Sequence, residues 1–188
     1  MGADEPRAET IRRWQQGDPA AFAELVRAWE AKIGRFLFRM TRSAETARDL
    51  TQDVFTRVYL ARHTYRDRGH FGTWLYRVAL NAARDAARRA KRPTEPYPEA
   101  ELACLEPSAD GWAERNEAVA KVTAALNALP PPLQEVVVLR HYEGFSFEDM
   151  ARTLDVPAST LKSRFGVALR QLADRLAGYA PEDHDEHR

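Results

Sequence analysis

Apolar residues recur at intervals of three and four along most of the chain, and no stretch alternates apolar and polar residues at period two. The pattern therefore predicts helices throughout. A short first helix ends at Gly17, Asp18 caps the next, and Pro19 takes its first position, where a missing N–H costs nothing. The second helix is predicted from about 19 to 40, with Phe22, Leu25, Val26, Trp29, Ile33, Phe36 and Leu37 on its apolar face. Ser43 is placed to cap a third helix running to about 62. There Ala47, Leu50, Val54, Val58 and Ala61 share one side, and Asp49, Gln52, Asp53 and Thr56 share the other. A fourth helix covers "WLYRVALNAARDAARR" and extends to Arg92, with Leu75, Val78, Ala82 and Ala86 as its buried face. Trp74, Arg77, Asn81, Arg84 and Arg88 form a stripe on another side. Before it lies "HTYRDRGHFG", basic, aromatic and broken by two glycines.

A more specific pattern follows in "FSFEDMARTLDVPASTLKSRFGVALRQL". Ser146 and Asp149 have capping-box spacing, and Phe147, Met150, Ala151 and Leu154 supply an apolar face. A turn is expected at Asp155, Val156 and Pro157, then a second helix opening at Ser159 or Thr160 and burying Leu161, Phe165, Ala168 and Leu172. Lys162, Ser163, Arg164 and Arg170 stay available to solvent or DNA. Two short helices with a tight turn between them, the second opening on small polar and basic residues, fit a helix-turn-helix that enters the major groove.

Between these blocks, Pro93, Pro96, Pro98 and Pro107 forbid a helix interior or a central strand. The fold class expected is all-α. Two small helical domains, residues 11–92 and 112–178, are joined by a flexible acidic linker at 93–111, and an acidic tail occupies 179–188.

Charge sharpens this division. The formal net charge is zero, yet residues 11–92 carry 18 Lys and Arg against 8 Asp and Glu, while residues 93–117 carry 1 against 7. A strongly positive domain of this size is an electrostatic footprint for nucleic acid. The C-terminal domain is nearly balanced, with 7 basic and 6 acidic residues over 118–178. The single cysteine, Cys104, excludes an internal disulfide framework and any zinc site built on paired thiolates. It reads as an incidental thiol rather than a redox switch. The first ten residues are polar and acidic, and no run is long and apolar enough to cross a bilayer, so a cytoplasmic protein with no membrane insertion of its own is expected. His184 and His187 have helical metal-ligand spacing but no further ligands. Without a nucleophile elbow, a phosphate-binding Gly-Lys motif or a Glu-x-x-His pair, no catalytic residue, metal or cofactor is expected.

The stripe on the fourth helix has two readings, a solvated flank or a nucleic-acid face. "ARDLTQDVFTRVY", "FGTWLYRVALNAARDAARR" and, after the linker, "LNALPPPLQEVVVLRHYEGFSFEDMARTLDVPASTLKSRF" together resemble a bacterial RNA polymerase sigma factor of the extracytoplasmic-function (ECF) group of the sigma-70 family. The resemblance runs from about Gly17 to Leu176. It implies that residues 11–92 are a sigma region 2 bundle and 112–178 a sigma region 4 helix-turn-helix. It implies an alternative sigma factor that binds core RNA polymerase and directs promoter recognition, −10 melting and initiation, held inactive by an anti-sigma factor. The competing reading from the residues is a free-standing helix-turn-helix regulator; a nucleic-acid enzyme is disfavoured because no catalytic constellation is found.

Site roles follow from the resemblance. Asp49, Gln52, Asp53 and Thr56 would bind the β′ clamp helices of core polymerase, the alternative being intrahelical pairs with Arg57. Arg66, Arg68, His70, Phe71, Trp74, Arg77, Asn81, Arg84 and Arg88 would engage −10 DNA, the arginines at phosphates and an aromatic ring on an unpaired base. Trp74 could equally anchor the core. Ser159, Thr160, Lys162, Ser163, Arg164 and Arg170 would read the −35 element, with region 4 held on the polymerase β flap. Here the chain departs from the family pattern, having Gly166, Val167 and Leu169 where members often carry basic residues or His. Region 4 alone is therefore expected to bind DNA weakly.

Overall fold

The computed structural model describes residues 5–66, 69–90 and 113–177. The linker at 93–111 with Cys104, the residue Arg68, and the tail with His184 and His187 lie outside the described residues. The described chain is helical: α1 (Ala8–Gln15), α2 (Pro19–Thr41), α3 (Ala44–Leu60), α4 (Phe71–Ala90), α5 (Ala113–Asn127), α6 (Pro131–Val137), α7 (Phe147–Leu154) and α8 (Ala158–Leu176). A 3-10 turn, Ala61–His63, follows α3, and a wide π-type turn, Val138–Tyr142, continues α6. No helix among the described residues is long and apolar enough to cross a membrane.

The helix ends are written in local chemistry. Gly17 at φ +89 ends α1 in the left-handed region that glycine adopts without a Cβ penalty. One Asp18 carboxylate oxygen then accepts from the Ala20 and Ala21 amides, at 2.8 and 3.4 Å, with Pro19 heading α2. Ser43 caps α3 through the Thr46 amide at 3.1 Å. At α7 the Ser146 hydroxyl accepts from the Asp149 amide at 3.0 Å while the Asp149 carboxylate accepts from the Ser146 amide at 3.2 Å, closing the capping box.

Two boundaries differ from the sequence pattern. The fourth helix begins at Phe71, three residues before Trp74, because the Trp74 amide already donates to the His70 carbonyl at 3.1 Å. Gly72, assigned to the loop, lies in the first helical turn, its amide on the Glu5 carboxylate. The last helix opens at Ala158, one residue before Ser159.

Helices α1 to α4 close around Trp14, Leu25, Trp29, Ile33, Phe36, Leu37, Val54, Val58, Phe71 and Leu75, all at 2 % exposure or less. Each such large apolar side chain stabilises the fold by about 1.5–3 kcal/mol relative to an exposed one. Rings meet edge-on or tilted: Trp14 and Phe71 at 5.9 Å, Tyr65 and Trp74 at 4.7 Å, Phe36 and Tyr76 at 5.1 Å. The C-terminal half packs α6, α7 and α8 around Val136, Leu139, Phe145, Met150, Leu161 and Ala168. These two sets form one continuous core, because α7 packs on α4 and the Phe145 ring meets the Tyr76 ring at 5.1 Å and 81°.

Candidate functional site

Three helix surfaces carry the residues that the sequence singled out. On α3, Asp49, Gln52 and Thr56 are exposed, and Asp53 is half-buried beside Arg57 at 2.7 Å. The i,i+4 pair thus exists for Asp53. Next to this face runs an open groove between α2 and α3 lined by Phe22, Val26, Gln52, Phe55, Thr56 and Tyr59. Phe22 and Val26, expected in the core, form its rim, with Phe22 5.2 Å from the exposed Tyr59 ring. The apolar half of this surface was missed in the sequence because Phe22 and Val26 share the helical spacing of true core residues.

On α4, the stripe divides. Arg77, Asn81 and Arg88 are exposed, as are Arg66 and His70 before the helix. Arg88 pairs with Asp85. Arg84 is engaged across the molecule: its Nε and Nη2 donate to the two oxygens of Glu135 at 2.7 and 2.6 Å, a bidentate pair. The Glu135 hydrogen bond, opposed by partial burial, raises the Arg84 pKa above its ordinary value. Phe71, expected at the DNA, is corrected to a core residue: at 1 % exposure it sits against Trp14 and Trp29 and has no face for a base. Trp74 is partly buried in the same cluster, against Trp14, Tyr65 and Phe71. It acts as an anchor with one edge still open.

On α7 and α8 the helix-turn-helix is formed as predicted in outline. Asp155 ends α7 at φ 56 in the left-handed region, and α8 follows within three residues. Leu161 and Ala168 hold α8 inward, and the Phe147 and Phe165 rings meet at 6.0 Å. Ser159, Thr160, Lys162, Ser163 and Arg170 are exposed and Arg164 is half-buried. Lys162 Nζ lies 5.7 Å from the Phe147 ring, so its stem is partly fixed. Gly166 faces open space, since a Cβ there would meet only the Arg170 guanidinium at 3.8 Å.

A third set of polar residues, unannounced by any sequence pattern, lies between the two halves. Glu143, with its side chain 8 % exposed, accepts from Arg39 Nη1 at 3.1 Å and from the Tyr76 hydroxyl. Burial first, and the Glu143 contact second, push the Tyr76 phenol far above its usual pKa. Thr153 Oγ1 reaches the Thr73 carbonyl at 3.5 Å, and Arg42 donates to the Asn127 carbonyl.

A positive helical bundle with an acidic, partly apolar face on α3, packed against a helix-turn-helix, has the chemistry of a DNA-binding protein that also seats on a protein partner. Comparison with known proteins identifies the family. Residues 25–93 match the model for Sigma-70 region 2, and residues 120–172 match that for Sigma-70, region 4. The chain is 33% identical over 175 residues to the RNA polymerase sigma-H factor of Pseudomonas aeruginosa, covering 87% of this chain and 90% of that one. It is 35% identical over 172 residues to the ECF RNA polymerase sigma factor SigM of Mycobacterium tuberculosis, covering 92% and 85% respectively. Among solved structures, CnrH in complex with the cytosolic domain of CnrY shares the fold at TM-score 0.68 and 21% identity, covering 91% of this chain and 97% of that one. The chain belongs to the sigma-70 family of RNA polymerase sigma factors, in its ECF group.

Proposed function

We propose that α3 docks this sigma factor on the β′ clamp helices of core polymerase, that α4 with its preceding loop engages the −10 element, and that α8 reads the −35 element. The observation that carries this reading is the separation of chemistry by face. Asp49, Gln52 and Thr56 are exposed beside an apolar groove between α2 and α3, where DNA would be repelled, while Arg77 and Asn81 on α4 and Ser159, Thr160, Lys162 and Ser163 on α8 are exposed and basic or polar. Phosphates take the arginines, and base edges take Asn81 and the α8 hydroxyls. The base-capture role falls to Trp74 or to the loop, since Phe71 is buried.

Bond-making belongs to the polymerase, and this chain contributes positioning alone, in the cytoplasm where the polymerase works. The CnrH and RpoE structures that share its fold were solved with CnrY and with the anti-sigma factor NepR respectively. An anti-sigma factor controlling this chain fits the same architecture.

The test is transcription by core RNA polymerase on fragmented DNA from the source genome, with and without the protein, and with transcript starts mapped. New discrete starts sharing −10 and −35 sequences are expected. Tight sequence-specific binding by the free protein with no new starts would instead indicate a free-standing regulator.

A further inference from the structure

Two large rings stand open to water on elements that the docking and promoter assignments leave unused: Phe38 on α2, 47% exposed, and Tyr142 on the π-type turn, 41% exposed. The side chains between them are basic. Helical spacing sets Arg35 one turn before both Phe38 and Arg39, at i,i+3 and i,i+4, and Arg42 closes the helix one turn later. The Arg39 guanidinium lies 4.5 Å from the Tyr142 ring, and the His141 ring meets Tyr142 edge-on at 5.1 Å. A continuous track therefore runs from Phe38 over Arg35 and Arg39 to Tyr142 and His141. Arg35, Arg42 and His141 are exposed along it and Arg39 is half-buried.

The turn that presents Tyr142 and His141 is fixed rather than loose. A π-type turn is wider than the helix it continues, and such turns occur frequently at functional sites. Here Arg140 Nη1 donates to the Phe145 carbonyl at 2.7 Å, and Gly144 at φ +68 lets the chain reverse just beyond Tyr142. Charge along the track is unbalanced. Arg39 is paired with the Glu143 carboxylate at 3.1 Å, whereas Arg35, Arg42 and His141 have no carboxylate partner among the described residues, Arg42 donating instead to the Asn127 carbonyl. Positive charge interleaved with open rings selects its ligand: phosphodiesters neutralise the guanidiniums, and unpaired bases stack on the rings. Duplex DNA keeps its base faces inside the stack and offers the rings nothing. An acidic protein segment would satisfy the charges and leave the rings uncovered.

We propose that the C-terminal third of α2 and the π-type turn form a platform for single-stranded nucleic acid, with Phe38 and Tyr142 each stacking on a base and Arg35, Arg39, Arg42 and His141 lining the phosphate path. RNA and unpaired DNA share this chemistry. The platform is separate from the −10 and −35 surfaces and does not rest on their assignment.

The experiment uses the full chain without polymerase and follows fluorescence anisotropy of labelled oligouridylate and oligothymidylate. Both strands should bind, and a duplex of the same length should bind at least about tenfold more weakly. Phe38→Ala combined with Tyr142→Ala should weaken strand binding by at least about tenfold. Should that variant lose its helical circular dichroism, Phe38→Leu keeps the apolar volume without the ring face and should weaken binding about fivefold. Arg35→Gln should lower the slope of log affinity against log salt by about 0.7, a change that lost packing would not produce. Photocrosslinking with a thiouridine-containing strand, followed by peptide mapping, should place adducts on the segments that hold Phe38 and Tyr142. Adducts confined to α4 or α8 would overturn the platform in favour of the promoter faces. Unchanged affinity in the aromatic variants, or equally tight duplex binding, overturns it too. Oligoglutamate displacing the strands as effectively as an unlabelled oligonucleotide would show that charge alone is read, which also overturns it. Binding of one sugar form alone supports the platform and assigns it to transcript if ribose and to unpaired promoter DNA if deoxyribose.

Discussion

Helices α4 and α8 both carry the residues assigned to promoter DNA, yet they are held in opposite ways. Nine residues of α4 are buried, from Phe71 to Ala83, because the helix is covered by α2 and α3 on one side and by α7 on another. Only Leu161 and Ala168 of α8 are buried, and the start of the helix stands open. Burial on two sides makes α4 a structural spine, and Arg84 on it is paired with Glu135 of the second half. The start of α8 is exposed in this arrangement, but a near-balanced domain charge leaves it little electrostatic affinity of its own. On the proposed reading, affinity and accessibility are divided between the two helices, and core polymerase would combine them.

The largest effect should come from breaking the spine. Phe71→Ala leaves a cavity among Trp14, Trp29 and Tyr65 and should lower stability by about 3–5 kcal/mol in urea unfolding. A change below about 1 kcal/mol would return Phe71 to the surface. Next, Arg84 and Arg77 separate structure from recognition on one helix. Arg84→Ala leaves Glu135 buried without its partner and should cost about 1–3 kcal/mol, a figure reduced because the Arg84 side chain is 39% exposed. Arg77→Ala should leave stability within about 0.5 kcal/mol and weaken only DNA binding by the holoenzyme.

On α8 a gain is expected. Gly166→Ala has room for its Cβ and should stabilise by about 0.5–1 kcal/mol, read as a higher melting temperature. The smallest effect is acid sensitivity at the caps. Asp18 is held below the usual 3.8 chiefly by the Arg13 hydrogen bond and the Ala20 amide. For Asp149 burial pushes the carboxyl up, but bonds from Ser146 and Arg152 outweigh it and the net shift is downward. Lowered folded pKa values mean that this stability is present above the unfolded Asp range and is lost as pH falls through the folded values. Thermal melts below pH 4 should therefore drop less steeply for Asp18→Asn and Asp149→Asn than for the unmodified chain.

Much of the fold was legible because its signals are local. Gly17, Asp18 and Pro19 announce a helix junction, and Ser146 with Asp149 announces α7, whatever lies around them. Leu25, Trp29, Ile33 and Phe36 could be assigned to the core from spacing alone. Phe71 was misplaced at the DNA, since an aromatic residue beside glycines and basic residues reads as part of a DNA-facing loop, whereas it is buried. The second covered face of α4 was hidden by its alanines: Ala79, Ala82 and Ala83 are small enough to suit either solvent or a close helix. Glu135 and Glu143 look like surface carboxylates in sequence, and only the partner half shows why they are inside.

The assignment of one helix to each promoter element is tested most directly by footprinting the complex of core polymerase and this protein on a promoter taken from its own mapped starts. The unmodified protein should protect both the −10 and the −35 regions in one complex. Arg77→Ala with Asn81→Ala should erase the −10 protection alone, and Lys162→Ala with Arg164→Ala the −35 protection alone. Loss of both regions from either pair, or unchanged protection from both pairs, would contradict the division of labour between α4 and α8.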